Sequence, residues 1–297
     1  MGAKLRVVRR RIRSVQSTKK ITRAMELIAS SRIVRAQQRV EASRPYAVQL
    51  TRAMEDVARN AGGVLSHELL EDRPHPAHVG VLIVTSDRGL AGAYNANVLK
   101  IGEELIRGVR ARGLEPVIYL IGKKGVGYFR FRGVGVRASW QGFSEVPPFE
   151  RAQEIGRALI GDFAAGHIDE LHCAYTDFRS AFTLRATSKR FLPIAPEEVG
   201  VTATGVVHPE YLFEPEPEQI LNHLLPQYLI TKVYAALLES AASENAARRR
   251  AMKAATDNAE DLIKILTRQA NRARQDEITT EIMEIVGGAE ALAAEKG

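Results

Sequence analysis

Apolar side chains recur at helical spacing over both ends of the chain and gather into short unbroken runs through its middle. From residue 3 to residue 44 there is neither glycine nor proline, and Leu5, Val8, Ile12 and Val15 follow one another at steps of three and four. Ile21, Met25 and Ile28 carry the stripe onward. This is the period of a helix with one face to bury. It predicts a long N-terminal helix, kinked or interrupted at Pro45, where the ring removes a hydrogen-bond donor, and resuming to about Asn60. Residues 227–286 are again free of glycine and proline and rich in Ala, Glu, Lys, Arg, Leu and Ile, all strong helix formers or core residues. At 1.5 Å per residue a helix of that extent is roughly 90 Å long. No compact domain of this size covers such a rod, so it must pair with another long helix, cross a large assembly, or both.

Stepping from Tyr234 alternately by four and three gives Leu238, Ala241, Asn245, Arg248, Met252, Ala255, Ala259, Leu262, Leu266, Gln269 and Ala273. All but Asn245, Arg248 and Gln269 are apolar, which predicts a supercoiled seam. The three polar members either fix register or face a different neighbour. The middle of the rod offers mainly Ala and Ser, so its pairing buries little apolar area. That suits a shaft better than a clamp.

Between the ends the period changes. Residues 62–78 hold a breaker-rich connection. HVGVLIV then reads as a buried strand over 79–84, and GAYNANVLKIGEELIRGVRARG as an amphipathic helix closed by Gly113. EPVIYLI is a second strand, followed by a short helix to about Phe131. VGVRASW is a third strand, PFERAQEIGRALIGDFAAG a helix, DELHCAYTDF a fourth strand, and residues 182–192 an edge strand. Strands alternating with helices predict a largely parallel α/β sheet. A Pro- and acid-rich segment returns the chain to the rod. The fold expected is thus an antiparallel coiled coil of N- and C-terminal helices with an inserted Rossmann-like α/β domain. Its segments are residues 1–60, 77–200 and 209–290.

Charge alters this picture at one end only. The net charge of +7 hides an excess in residues 1–60, where fifteen Lys and Arg face four Asp and Glu. Such an asymmetry points to a polyanion or an acidic protein surface. Arg6, Arg9, Arg10, Arg11 and Arg13 crowd the first turns of a helix, where its dipole disfavours cations, and so call for an anionic neighbour. No apolar run approaches the length of a membrane span, no secretory signal follows Met1, and the Arg-rich start continues in helical pattern past the usual transit-peptide range. The single Cys173 excludes an intrachain disulfide and reads as a packed thiol. His75, His78, His167 and His172 stand in no metal-like context.

The loop TSDRGLAG, residues 85–92, follows a strand and opens a helix, the place where α/β proteins bind anions. It matches neither the P-loop nor the dinucleotide fingerprint, and an N-cap at Ser86 or Asp87 with turn-forming glycines explains it. The turn 122–125, GKKG, is read the same way. No nucleophile, base and orienting group come together, so a non-catalytic chain without cofactor or metal is expected. A nucleic-acid-binding coiled coil with an α/β regulatory domain remains the alternative, since the basic N-terminal helix resembles a basic arm. Against it stands the apolar stripe interleaved with the arginines, which wants a packed partner. A nucleotide-binding enzyme using the 85–92 loop is a third.

RRRIRSVQSTKKITRAMELIASSRIVRAQ, SDRGLAGAYNANV and ENAARRRAMKAATDNAEDLIKILTRQANRARQDEITTEIMEIVGGAEAL resemble, in that order, the N-terminal, central and C-terminal signatures of the γ subunit of F-type ATP synthases, in its bacterial form. The resemblance implies a non-catalytic central rotor stalk, single in its complex. It is seated among α and β subunits, and its foot meets the ε subunit and the c-ring at the cytoplasmic face of the membrane. It also implies contacts to the α/β ring from Met25, Arg248, Gln275, Thr279 and Glu281, and no specific nucleic acid. Ala91 departs from the family's pattern, which commonly has cysteine there, and residues 130–225 resemble the family only loosely.

Overall fold

A computed structural model describes residues 3–60, 67–180, 183–199 and 217–294. In chain order the elements are α1 (Ala3–Asn60), β1 (His78–Val84), α2 (Tyr94–Ala111), β2 (Glu115–Ile121), α3 (Lys123–Phe131) and β3 (Ala138–Trp140). Then follow α4 (Phe149–Ala164), β4 (Glu170–Phe178), β5 (Leu184–Leu192), a 3-10 turn (Pro196–Val199) and α5 (Pro217–Ala294). The breaker-rich stretch at 61–66 and most of the acid-rich return segment, residues 200–216, lie outside the described residues.

The strands form one sheet in the order β3-β2-β1-β4-β5. β1 pairs in parallel with β2 and β4, β2 in parallel with β3, and the edge strand β5 runs antiparallel to β4. Side chains of a strand alternate between faces, and the alternation here sorts them into two cores. Val79, Val81, Ile83, Ile118 and Leu120 pack with Val98, Ile106 and Val109 of α2 and Phe129 of α3. Leu82, Val84, Tyr119, Ile121, Leu171 and Cys173 face the other way, against Ile155, Leu159 and Phe163 of α4. The same core takes in Leu50, Met54 and Val57 of α1 and Leu221, Leu225, Leu229 and Leu237 of α5. The long helices therefore complete the second helical layer of the sheet. α4 crosses α5 at close range through Gly156, where an added Cβ would stand 2.6 Å from Ile230 Cγ1.

Two expectations about the helices are corrected. α1 is continuous through Pro45. Its buried and half-buried positions include the series Leu5, Val8, Ile12, Val15, Lys19, Thr22, Glu26, Ala29, Ile33, Ala36, Val40, Ser43, Ala47, Leu50, Met54 and Val57. That is a heptad register unbroken on either side of the proline, and seam packing on both sides offsets the cost of the missing hydrogen bond, about 3 kcal/mol. Ile21 and Ile28 fall outside this register and are 58% and 53% exposed. α5 starts before residue 227, carries Pro226 inside it and continues past Gly287 to Ala294. Pro226 is held in the helix by packed neighbours such as Leu225 and Leu229, and Gly287, among exposed residues, does not end it either.

By its contacts the molecule divides into two compact units: Met1–Ile28 with Arg249–Gly297, and Ala29–Arg248. In the first, α1 and α5 pair antiparallel, since Lys19 meets Glu260 at 3.1 Å while the later Thr22 meets the earlier Thr256 at 2.8 Å. Their buried positions on α5 are Met252, Thr256, Ala259, Leu266 and Ala270, with Ile263 half-buried. The seam thus steps by four before three after Met252. Ala255, Leu262 and Gln269 give way to the residue after each of them.

Candidate functional site

Two of the three polar residues that broke the expected seam, Asn245 and Arg248, lie at one junction in the sheet-bearing unit. Glu244 and Arg248 stand one turn apart on α5, a spacing that puts an acid and a base on one face of a helix. Arg248 is 4% exposed. Its Nη2 donates to Glu244 Oε1 at 2.6 Å and its Nη1 lies 3.2 Å from Glu145 Oε1. The same guanidinium reaches the carbonyl oxygens of Arg88 and Gly89 at 3.4 and 3.3 Å. Asn245, fully buried beside it, donates to the Ala241 carbonyl. Gln269, the third polar member, is exposed.

Glu145 is the hub. Besides Arg248 it faces Arg32 of α1, which donates to Oε2, and Arg88 Nη1 at 3.5 Å. One carboxylate is thus shared by arginines from α1, from the loop after β1 and from α5. Glu244 is 1% exposed, and its Oε2 has no hydrogen-bond partner. Burial pushes its carboxyl above the ordinary range, and Arg248 pulls it back only in part.

The 85–92 loop owes its shape to protein groups. Ser86 and Asp87 do not cap α2, which begins at Tyr94 with no side-chain cap; Ser86 stands eight residues upstream, beyond capping reach. Instead Asn95 Oδ1 accepts from the Ser86 N–H at 3.0 Å. Asp87 accepts from the Lys123 N–H at the start of α3 and from the N–H groups of Gly142 and Ser144. Burial works to raise the Asp87 carboxyl, yet those three donors more than offset it and hold it below its usual value. Leu90 and Gly92 adopt positive φ of 61° and 56°. In the 122–125 turn, Gly122 sits at φ 90° against the Thr85 carbonyl, and Gly125 N–H donates to Thr85 Oγ1 at 2.8 Å.

The remaining candidate contacts belong to the first unit. Met25 is half-buried on α1, while Gln275, Thr279 and Glu281 are exposed on α5. The Thr279 hydroxyl donates to the Gln275 carbonyl at 2.9 Å. Large apolar side chains are exposed outside the seam here: Val7, Ile21, Leu27 and Ile28 on α1, and Ile278, Ile282, Met283 and Ile285 on α5. Arg6, Arg9, Arg10, Arg11 and Arg13 are exposed as well, beside a buried Leu5 and a half-buried Ile12. Cys173 is buried, which pushes its thiol up. His167 and His172 each sit 3.1 Å from a carboxylate oxygen, of Asp162 and Glu170 respectively. No described helix is long and apolar enough to cross a membrane.

Sequence reasoning reached Arg248 but not Glu145, Glu244, Arg32 or Arg88. The spacing of Glu244 and Arg248 was a usable signal. Glu145, in a loop of the form SEVPP, gave none.

A pair of long helices with an inserted five-stranded sheet is a fold also found in ATP synthase structures. The chain superposes with a TM-score of 0.66 on a chain of the Euglena gracilis mitochondrial ATP synthase, at 18% identity and over 100% of this chain and 97% of that one. A chain of the Tetrahymena thermophila mitochondrial ATP synthase central stalk and c-ring structure gives 0.59 at 24% identity, over 79% and 99%. Residues 4–292 match the family described as ATP synthase. The ATP synthase gamma chains of Acidothermus cellulolyticus and Mycolicibacterium smegmatis are 55% and 53% identical, over 99% and 100% of both chains respectively. The gamma chain of Thermobifida fusca is 52% identical over 99% of this chain and 98% of its own. The chain belongs to the ATP synthase gamma chain family, and its role is that of the non-catalytic central stalk of the F-type rotor.

Proposed function

We propose that the paired ends of α1 and α5 turn inside a ring of α and β subunits and present different faces to three catalytic β subunits in turn. Each β subunit then changes its nucleotide affinity because the shaft contacts its conformations unequally, which is the only way a contact shifts an equilibrium. Of the contacts assigned to the ring, Met25, Gln275, Thr279 and Glu281 lie on the paired ends, while Arg248, 4% exposed and held by Glu244 and Glu145, is engaged inside the chain itself. Segments 1–60 and 209–290 form the shaft. Segment 77–200 forms the foot toward the ε subunit and the c-ring, one copy per complex, at the cytoplasmic face of the membrane. The observation that carries this reading is the array of large apolar side chains, Ile278 to Ile285 and Val7 to Ile28, exposed outside the seam of the first unit. A surface of that kind calls for a surrounding partner.

Cysteines placed at positions 275 and 281, with cysteines introduced in the surrounding subunits, test it. Cross-links to β subunits that stop ATP-driven proton pumping and are reversed by reductant are expected. Pumping that continues at the wild-type rate in a fully cross-linked complex overturns the rotating contact. Coupled pumping by a complex lacking the chain altogether overturns the stalk reading itself.

A further inference from the structure

We propose that Glu145 is a positioning residue that transmits load between the inserted sheet and the two long helices. The proposal rests on the rotor role of the chain. β1 and β3 belong to the parallel part of the sheet, so the loops that follow them, residues 85–93 and 141–148, leave the same edge. Asp87 ties these loops together by accepting from the Gly142 and Ser144 N–H groups, and Ser144 Oγ returns a bond by accepting from the Asp87 N–H at 2.9 Å. The joined loops then bear on α1 through Arg32 and on α5 through Arg248, both held by the Glu145 carboxylate.

The chemistry of this joint differs from that of the apolar core beside it. Apolar contact is non-directional, so two packed surfaces resist separation far better than they resist sliding. A carboxylate fixed between guanidiniums on two different helices cannot slide without breaking charge-assisted bonds. Buried ion pairs are poor stabilisers by comparison with apolar packing, and their attested use is to fix register. Three guanidiniums, of Arg32, Arg88 and Arg248, face the two carboxylates Glu145 and Glu244. Removing Glu145 therefore leaves three cations with one acid. Arg32 and Arg88 can turn to water, being 33% and 71% exposed, while Arg248 at 5% keeps Glu244. What is lost is the tie between elements, with α5 still folded.

The test uses the complete proton-translocating complex in sealed vesicles and reads protons pumped per ATP hydrolysed, alongside the unfolding temperature of the complex. Glu145→Gln and Glu145→Leu are expected to lower that ratio at least three-fold, the leucine variant more, with hydrolysis falling less than pumping does. Arg112→Gln breaks the Arg112–Glu170 pair at 2.5 Å, which joins α2 to β4 without touching either long helix, and is expected to keep the wild-type ratio. A wild-type ratio in both Glu145 variants, with only a lower unfolding temperature, overturns the proposal and leaves Glu145 a structural residue. If the leucine variant does not assemble, Arg32→Gln decides by the same ratio, since it removes only the α1 arm. A lowered ratio supports the joint and an unchanged ratio overturns it. Full pumping by a complex without the chain would instead overturn the rotor role, a result that the Glu145 variants cannot mimic.

Discussion

One helix, α5, lives under two regimes. From Leu221 to Arg248 it is enclosed by the sheet, by α4 and by α1, and from Ala236 to Arg248 every residue but Glu239 is buried. From Lys253 to Gly287 at most two residues per turn are covered, none after Glu277, and the rest stand exposed. Helical propensity is similar along both stretches, so propensity does not set the difference. What sets it is how many neighbours each stretch has, and in proteins most helix stability comes from those neighbours. The enclosed half accordingly admits Ser, Glu, Asn and Arg only with partners inside the chain. The open half keeps a thin seam and leaves its other faces for the complex.

A single methyl group separates the sheet-bearing unit from the open half of α5 most sharply. Gly122 holds φ 90°, and a Cβ there would stand 2.3 Å from the Thr85 carbonyl oxygen. Gly122→Ala is expected to cost about 3 kcal/mol or more, from backbone strain and a clash with main chain that cannot give way. Gly287, within the open half of α5, has nothing within 4 Å of an added Cβ. Gly287→Ala is expected to be neutral or to stabilise by up to about 1 kcal/mol through helix propensity. Denaturant unfolding of the two variants checks both signs, and equal losses would erase the distinction drawn here.

Identical truncations along α5 come next in size. Leu229 is fully buried in the sheet-facing core, while Leu262 is 44% exposed. Leu229→Ala is expected to cost about 3 kcal/mol, through lost transfer energy plus a cavity. Leu262→Ala is expected to cost under about 0.5 kcal/mol. Hydrogen-exchange protection, read separately over 221–248 and 249–294, tells which part of the helix responds. A Leu262 variant as damaging as the Leu229 one would mean that the open half is covered in the free chain.

How far the sequence speaks also divides along this line. Short apolar runs give β1, β2 and β4 nearly to the residue, because a strand buried on both faces has few polar interruptions; β3, expected over residues 134–140, is only Ala138–Trp140, and the edge strand β5 is largely polar and exposed. Heptad spacing gives both long helices, including their pairing. The phase of the seam after Met252 was not legible, since Ala255 and Thr256, or Leu262 and Ile263, satisfy the template almost equally and only the partner chooses between them. Pro45 and Pro226 look like helix ends when read locally; packing overrides them. Glu145 was invisible because its three arginines come from α1, from the loop after β1 and from α5. No local pattern encodes a meeting of that kind.

Charge gives a third contrast. Glu239 lies where α5 faces β4 and β5, and burial, with the neighbouring Asp177 carboxyl, pushes it up to about 7 although Lys189 pulls the other way. Its Oε2 has no hydrogen-bond partner. The folded state therefore holds a proton that the unfolded chain releases near 4.5. That contribution is fully present below about pH 4.5 and is lost as the pH rises through about 7. The chain is expected to lose on the order of 1 to 2 kcal/mol from this residue between pH 5 and 8, and Glu239→Gln to flatten that slope. Thermal unfolding across this pH range compares the variant with the unaltered chain, and a slope that survives Glu239→Gln assigns the proton elsewhere.

The smallest effect concerns what a thin seam uses for register. Thr22 and Thr256 face each other across the first unit, both buried, with their hydroxyls 2.8 Å apart. Each hydroxyl also has an acceptor on its own helix, the Lys19 carbonyl for Thr22 and the Met252 carbonyl for Thr256. A hydroxyl has one proton, so whichever residue bonds across the seam gives up its own helix's carbonyl as acceptor. Valine is close in shape and keeps the β-branch, so Thr22→Val and Thr256→Val remove the hydrogen bond with little change in packing. Each is expected to cost about 1 kcal/mol, the usual net value of one buried hydrogen bond. The double variant is expected to cost about 0.5 to 1 kcal/mol less than the two singles together, because the second substitution removes a group that has already lost its partner. A seam in which Ala and Thr stand between a few larger side chains buries little apolar surface with which to choose its alignment, and a directional bond at one level supplies that choice without adding adhesion. If the double-mutant cycle closes with no coupling, each hydroxyl is satisfied by its own helix. The register of the open half must then come from the enclosed half to which α1 and α5 both continue.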